Sequence, residues 1–114
     1  MNIEYLRNYC LSKPGAEETF PFDEETLVFK FAGKIFLIVG IESLPLRFNV
    51  KCNPEIALEL RSKYPCVLPG FHMNKKHWNT VICGGSVPKK LYLDWIDNSY
   101  NLIANGIPKN KKTN

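Results

Sequence analysis

Residues 69–81 form the segment of this 114-residue chain with the most side chains that could do chemistry. The segment reads PGFHMNKKHWNTV and contains two histidines, two lysines and two asparagines. Ammonium groups, imidazoles and carboxamides can bind a phosphate, a base edge or a carboxylate. The segment therefore predicts a binding surface, and its candidate residues are His72, Asn74, Lys75, Lys76 and His77.

The spacing of the two histidines argues against a metal site and against catalysis. His72 and His77 are five residues apart, so they do not share a face on a helix or a strand, and the segment has no cysteine or carboxylate. Zinc would need such additional ligands, and a nucleophile would reach a histidine only if the fold brought it there. The turn at residues 84–86 lacks the spacing of the phosphate-binding glycine motifs. We expect a non-enzymatic protein with no metal and no cofactor.

The net charge of +4 is unevenly distributed along the chain. Residues 17–25 carry five carboxylates and no basic residue, whereas no carboxylate occurs between Glu59 and Asp94. Such a carboxylate-free window creates a positive field that attracts polyanions, although lysines that only solvate a surface give the same pattern. The basic residues of the window are Arg61, Lys63, Lys75, Lys76, Lys89 and Lys90. Lys89 and Lys90 therefore join the candidate surface.

Length and composition predict one globular domain in the cytoplasm. The chain is long enough for one core, and 45% of its residues are hydrophobic. It has no apolar run near the roughly 20 residues that span a bilayer, and its N-terminus does not have the pattern of a signal peptide. The four cysteines form no C-x-x-C pair, which favours reduced thiols in or near the core over a disulfide or zinc. We expect a monomer.

Periodicity predicts three helices. Apolar residues at helical spacing indicate a first helix over residues 2–11. Asn53 followed by Pro54 is a typical start for a second helix, which ends near Lys63. A third helix with a broad apolar face begins at Pro88.

Alternating apolar residues predict a hairpin followed by a third strand. The hairpin consists of residues 27–31 and 34–39 around a turn at Gly33. Its second strand is apolar on both faces, as expected for a covered, central strand. The third strand, residues 46–51, has one apolar face and one polar face, and the polar face consists of Arg47, Asn49 and Lys51.

Two short strands, residues 66–68 and 78–83, flank the rest of the candidate segment. Trp78 is assigned to the core, because large aromatic residues are usually buried there. The acidic residues 17–25 are assigned to a loop.

Together these elements define a two-layer α+β domain of order α-β-β-β-α-β-β-α. Strands that are joined by short turns pair antiparallel, and three helices cover one face of a sheet of about five strands. The other face stays partly open and carries Arg47, Asn49 and Lys51. We expect residues 1–108 to form the domain and the basic residues 109–114 to form a frayed tail.

The chain resembles the MmcQ/YjbR family of small bacterial proteins. The resemblance rests on VKCNPE at residues 50–55, on the HMNKKHWNTV run within residues 69–81, and on Ser99 and Tyr100. It extends over nearly the whole chain. It implies a fold similar to that of the frataxin homologue CyaY and a double-wing mode of DNA binding, and it brings no catalytic residues.

These observations predict a DNA-binding domain whose affinity is mostly electrostatic. Four basic residues would contact phosphates: Arg47, Lys51, Lys75 and Lys76. Three others, His72, Asn74 and His77, would shape the surface, and Lys89 and Lys90 would extend it. Two alternatives stay open. One is a protein-interaction module that uses the same face, with the acidic region meeting a basic partner, and the other is a small-anion or metabolite site around His72, Lys75 and His77.

Overall fold

Within residues 1–106, which the computed structural model describes, the chain forms three helices and six strands. The helices are α1 (Ile3–Leu11), α2 (Pro54–Lys63) and α3 (Lys89–Asn105). The strands are β1 (Ala16–Thr19), β2 (Thr26–Phe31), β3 (Lys34–Gly40), β4 (Arg47–Lys51), β5 (Val67–Pro69) and β6 (Trp78–Ile82). The predicted tail at 109–114 lies outside the described residues. No helix within residues 1–106 has the length and apolar content that a bilayer-spanning segment needs.

The strands form one antiparallel sheet in the order β1-β2-β3-β4-β6-β5. The α+β prediction is therefore confirmed. β4 pairs with β6 along its whole length, with Arg47 opposite Ile82 and Lys51 opposite Trp78. This pairing places the polar positions of β4 directly beside the strand that ends the candidate segment.

The strand that alternation did not predict is β1. It pairs with β2 at the edge of the sheet, where Glu18 lies opposite Phe29. Glutamate is depleted in strands, but charged residues are common on edge strands because they discourage pairing with another chain. The assignment of all of residues 17–25 to a loop was therefore wrong at its start, and the region without helix or strand is residues 20–25.

A β-bulge explains the continuous apolar run of β3. The strand is central, as predicted, but its register with β2 shifts between Phe29 and Lys30. A bulge sets two residues of one strand against one residue of its partner. Phe36 and Leu37 are accordingly both fully buried. The apolar run of β3 therefore does not mean that both faces of the strand are fully buried.

Helix α3 covers the middle of the sheet. The rings of Phe31 and Phe36 meet the Tyr100 ring edge-on, with centroid distances of 5.5 and 5.3 Å. The buried Ser99 hydroxyl donates to the Phe36 carbonyl at 2.6 Å and accepts the Lys51 N–H at 2.8 Å. Buried residues of α1 join the same core, so the helices lie on one side of the sheet.

All four cysteines have free thiols, as their spacing predicted. Cys10, Cys52 and Cys66 are buried, and Cys83 is half-buried. Burial raises the pKa of the Cys10 and Cys83 thiols to about 12. At neutral pH both thiols are therefore uncharged. Cys10 lies within the core, and Cys83 packs against it.

Candidate functional site

The polar side of β4 faces away from the helices. Phe48 points toward α3, where its ring meets the Tyr92 ring with a centroid distance of 6.5 Å. Because side chains alternate along a strand, the residues on either side of Phe48 point the opposite way. Their direct partners on β6 point there too. We call this surface the open face and define it by Arg47, Asn49, Lys51, Trp78, Thr80 and Ile82.

Trp78 belongs to the open face and not to the core, so its predicted core position was wrong. It is half-buried, and it lies opposite Lys51. The next residue, Asn79, points inward instead and is only 1% exposed. Residue type favoured Trp78 for the core, but the alternation of β6 has the stronger effect.

Arg61 of α2 fixes the loop that precedes β6. Its Nε donates to Oδ1 of Asn79 at 2.7 Å, and its Nη2 donates to the carbonyl oxygens of Trp78, at 3.2 Å, and of Lys75. The Asn79 amide nitrogen donates to a carbonyl of α2 at 3.4 Å. Sequence reasoning counted Arg61 in the basic window but missed this role, because a single arginine on a helix forms no motif.

Some of the candidate polar groups in the 70–77 loop bond within the loop itself. The Asn74 side chain accepts the Lys76 N–H at 2.9 Å, and its carbonyl accepts the N–H groups of His77 and Trp78 at 3.2 and 3.0 Å. The Lys75 ammonium donates to the Gly70 carbonyl at 3.1 Å. Asn74 and Lys75 therefore hold the shape of the loop, although both side chains remain exposed.

The same loop holds Phe71 and His72 out toward solvent. Phe71 is 68% exposed, and its N–H donates to the Thr80 hydroxyl at 2.9 Å. His72 has a φ of 58°, in the left-handed region, and its ring centroid lies 4.1 Å from that of Phe71. A Cβ at Gly70 would lie 2.8 Å from the Trp78 Cβ, so only glycine fits there. The exposed pair is therefore held by a closely packed turn.

Phe71 and Arg47 meet at a shallow groove on the open face. The groove has a volume of about 230 Å³ and is also lined by Gly40, Ser43, Asn49 and Thr80. The Thr80 hydroxyl donates to the Asn49 carboxamide oxygen at 2.5 Å. The groove thus combines an aromatic ring, a guanidinium group and a carboxamide within one depression.

The other candidate lysines lie apart from this groove. Lys51, at the far end of β4, lines a depression with Lys34 beside the end of α3. Lys89 and Lys90 belong to the helical layer. The Lys89 Nζ lies 4.3 Å from the centroid of the Tyr5 ring, and the Lys90 Nζ forms an ion pair with Oδ2 of Asp94 at 3.0 Å. The fold therefore does not join Lys89 and Lys90 to the open face.

The histidines do not form part of a metal-binding cluster. His72 is exposed, whereas His77 is half-buried, and the His77 carbonyl accepts the Cys52 N–H at 2.7 Å. Among residues 1–106 no group of three or more His, Cys, Asp or Glu side chains could hold a metal ion.

The fold and the open face define a small two-layer α+β domain in which the helices of the described part of the chain cover one sheet face and the other is partly basic. The sequence model of the YjbR family matches residues 11–102, and the chain belongs to this family.

Relatives of similar length support the family assignment. The chain is 37% identical to the Escherichia coli O157:H7 protein YbdF over 107 residues, which are 93% of this chain and 87% of that protein. It is 35% identical to YjbR of Escherichia coli K12 over 113 residues, covering 98% of this chain and 95% of YjbR. The crystal structure of Deinococcus radiodurans protein DR2400 superimposes with a TM-score of 0.91 at 40% identity, covering 96% of this chain and 84% of that one. These names state no activity, so the family settles the fold and leaves the ligand to be argued from the site.

Proposed function

We propose that this protein is a DNA-binding domain that acts as a monomer in the cytoplasm through its open face and the 70–77 loop. The observation that carries the proposal is the position of Arg47 on a sheet face that none of the helices described within residues 1–106 covers. Lys51 lies at the other end of the same strand, beside the end of α3, and the neighbouring strand follows Lys75 and Lys76. Arginine and lysine supply most of the affinity for nucleic acid because they neutralise phosphates.

The borders of the open face suggest how a double-wing mode would work. The groove at Arg47 is bordered by Gly40 and Ser43 on one side and by Phe71 on the other. We assign the two wings to the segments that carry these residues, 40–46 and 70–77. The strands between the wings would contact the phosphate backbone.

The candidate residues have unequal roles in this proposal. Arg47, Lys51 and Lys76 contact phosphates, and Lys75 does so after giving up its bond to the Gly70 carbonyl. Asn74 maintains the loop. Lys89 and Lys90 add only to the long-range positive field, because they lie on the helical layer.

A pair of double variants with equal charge tests the proposal. Binding of a short DNA duplex is measured by fluorescence anisotropy between about 50 and 200 mM salt, a range in which phosphate contacts weaken strongly. Arg47→Ala/Lys51→Ala is expected to reduce the slope of log affinity against log salt by about 2, since each phosphate contact contributes nearly one unit. Lys89→Ala/Lys90→Ala removes the same charge from the other layer and should leave the slope nearly unchanged. Equal losses in the two variants, or no binding at low salt of either the duplex or one of its separated strands, would refute the proposal.

A second groove favours protein interaction as a second candidate function. It has a volume of about 550 Å³ and lies between α1 and the segment that follows β1, with an apolar lining that includes Ile3, Phe20 and Leu27. Phe20 is 47% exposed. The carboxylates in its lining are Glu4, Glu18 and Glu42, against one basic residue, Arg7. The charge and the apolar lining together fit a cationic peptide segment that carries large apolar side chains.

Glu25 is a further carboxyl group beside Glu42, which lines this second groove. The pKa of Glu25 is raised, first by a hydrogen bond with Glu42 and then by the charge of Glu42. Binding of a short, labelled peptide of lysine and leucine serves as the probe. Phe20→Ala and Glu42→Gln should each weaken it, while Leu58→Ala, which removes an exposed apolar side chain from α2, should not. Equal affinities across the three variants would exclude this groove as a peptide site.

A further inference from the structure

Phe71 and His72 form an exposed feature that the packing of the domain does not require. Among residues 1–106, Phe71 belongs neither to the buried core nor to the apolar residues packed against it, and it is 68% exposed. His72 adopts a left-handed backbone conformation, which non-glycine residues rarely adopt unless their surroundings enforce it. An exposed aromatic ring next to such a residue suggests a binding role.

The turn that carries Phe71 is fixed to the sheet at several points. Gly70 packs against Trp78 so closely that no side chain fits between them. The Phe71 N–H bonds to the Thr80 hydroxyl, which in turn bonds to Asn49 of β4. The backbone that carries the ring is therefore fixed before a ligand binds, which lowers the entropic cost of binding.

We propose that Phe71, backed by His72, stacks on an unpaired base, so that the open face binds single-stranded nucleic acid. This inference rests on the proposed function and specifies its ligand. The His72 ring lies against the Phe71 ring in a tilted arrangement, and most of the Phe71 surface remains exposed. Both faces of a base inside a duplex are stacked on its neighbours, whereas a single strand can place a base on an aromatic side chain.

The groove beside Phe71 has groups that suit the rest of a nucleotide. Arg47 lies in the same depression and can bind the phosphate. Asn49 lines it too, and carboxamides bond to base edges. An apolar protein partner would also contact Phe71, but the absence of carboxylates between Glu59 and Asp94 favours an anionic ligand.

Three oligonucleotides separate stacking from charge. A strand of about 16 thymidines, the upper end of the site size of single-strand binding folds, is compared with an abasic strand of equal length and with a duplex. The wild-type chain should bind the thymidine strand most tightly. Phe71→Ala should weaken that binding on the order of 10-fold, as expected for loss of one base–aromatic stack, and should leave the abasic strand unaffected. Phe71→Tyr should retain the affinity.

The control is Leu58→Ala, which removes an exposed apolar side chain from the helical layer, and circular dichroism checks that each variant is folded. If the thymidine strand and the abasic strand bind equally and Phe71→Ala changes neither, the stacking proposal is overturned while phosphate binding stands. If no oligonucleotide binds at low salt, both proposals are overturned. A loss in Phe71→Ala that appears only with a protein ligand would assign the ring to a protein interface.

Discussion

Arg61 holds the 70–77 loop through a geometry that lysine cannot reproduce. Its guanidinium group bonds to one side-chain oxygen and two backbone carbonyls in adjoining directions. Guanidinium is planar with five donors, whereas the lysine ammonium is a compact point donor on a flexible stem. The orientation of the loop therefore depends on a residue outside it.

Arg61→Lys should destabilise the fold by about 1.5–3 kcal/mol, because hydrogen bonds from a charged donor to Asn79 and to the loop backbone are lost. Urea denaturation measures this change. Lys63→Ala, at an exposed position of the same helix, should remain within about 0.5 kcal/mol of the wild type. Similar values for the two variants would mean that Arg61 only adds charge.

Ser99→Ala is expected to have a comparable effect from another helix of the same layer. Its hydroxyl joins α3 to the backbone of both β3 and β4 and is fully buried. Removing it leaves the Phe36 carbonyl and the Lys51 N–H with no side-chain partner, at a cost of about 1–3 kcal/mol. The exposed Ser62→Ala serves as the comparison in the same denaturation experiment. A loss no larger than that of Ser62→Ala would show that water satisfies both backbone groups.

The sequence predicted which segment is rich in functional groups, but not the direction of each side chain. The difference between Trp78 and Asn79 depends on the register of β6 against β4, which is a long-range property. Local composition favours tryptophan for the core and asparagine for the surface, and the sheet reverses both. The buried Asn79 is possible because Arg61 satisfies its carboxamide.

At the scale of elements, helix α1 is attached to α3 by a small polar cluster. Asp97 accepts hydrogen bonds from the Tyr9 hydroxyl and the Lys13 ammonium, each at 2.5 Å. The Lys13 nitrogen also lies 4.8 Å from the Tyr9 ring centroid and 5.3 Å from that of Tyr100. Burial and the neighbouring Asp97 carboxylate raise the pKa of Tyr9, so its hydroxyl stays protonated and continues to donate.

A double-mutant cycle between Tyr9→Phe and Asp97→Asn should reveal coupling. Residues in one hydrogen-bond network usually show interaction energies of about 0.5–3 kcal/mol. Denaturation of both single variants and the double variant gives the value. Strictly additive effects would show that the two helices are held by apolar packing alone.

The helices and the hairpin were predictable because their signals are local: helical spacing, an Asn-Pro cap and a glycine turn. The polar cluster was not, because Tyr9 and Asp97 are separated by 88 positions in the chain. Strand β1 was missed for a related reason. Its glutamates are compatible with a strand only once it lies at the sheet edge, where Glu18 pairs with Arg7 of α1.

At the scale of the whole molecule, the two charge regions of the sequence occupy different parts of the fold. Carboxylates surround the groove between α1 and β1 at one edge of the sheet. The basic residues Arg47 and Lys51 lie on the open face of β4, nearer the other edge. Such a separation orients the domain toward a polyanion before contact is made. The sequence predicted both regions, and the sheet order determines their distance from each other.

The buried thiols lead to a prediction for the whole domain at high pH. In the folded state the pKa of Cys10 and of Cys83 is raised from 9.0 to about 12, mainly by burial. A raised pKa contributes stability that is fully present below pH 9.0 and is lost as the pH approaches the folded value, because the unfolded chain ionises first.

The free energy of unfolding should therefore decline steadily from pH 9.0 toward about 12. Urea denaturation at a series of pH values measures the decline. Cys83→Ala removes one of the two thiols at a half-buried position, so its curve should decline less steeply, whatever its stability at neutral pH. Tyr9→Phe should flatten the upper part of the curve, because the Tyr9 pKa is raised above its ordinary value of 10.0. A decline of identical steepness in Cys83→Ala and the wild type would mean that this thiol ionises as readily in the folded chain as in the unfolded one.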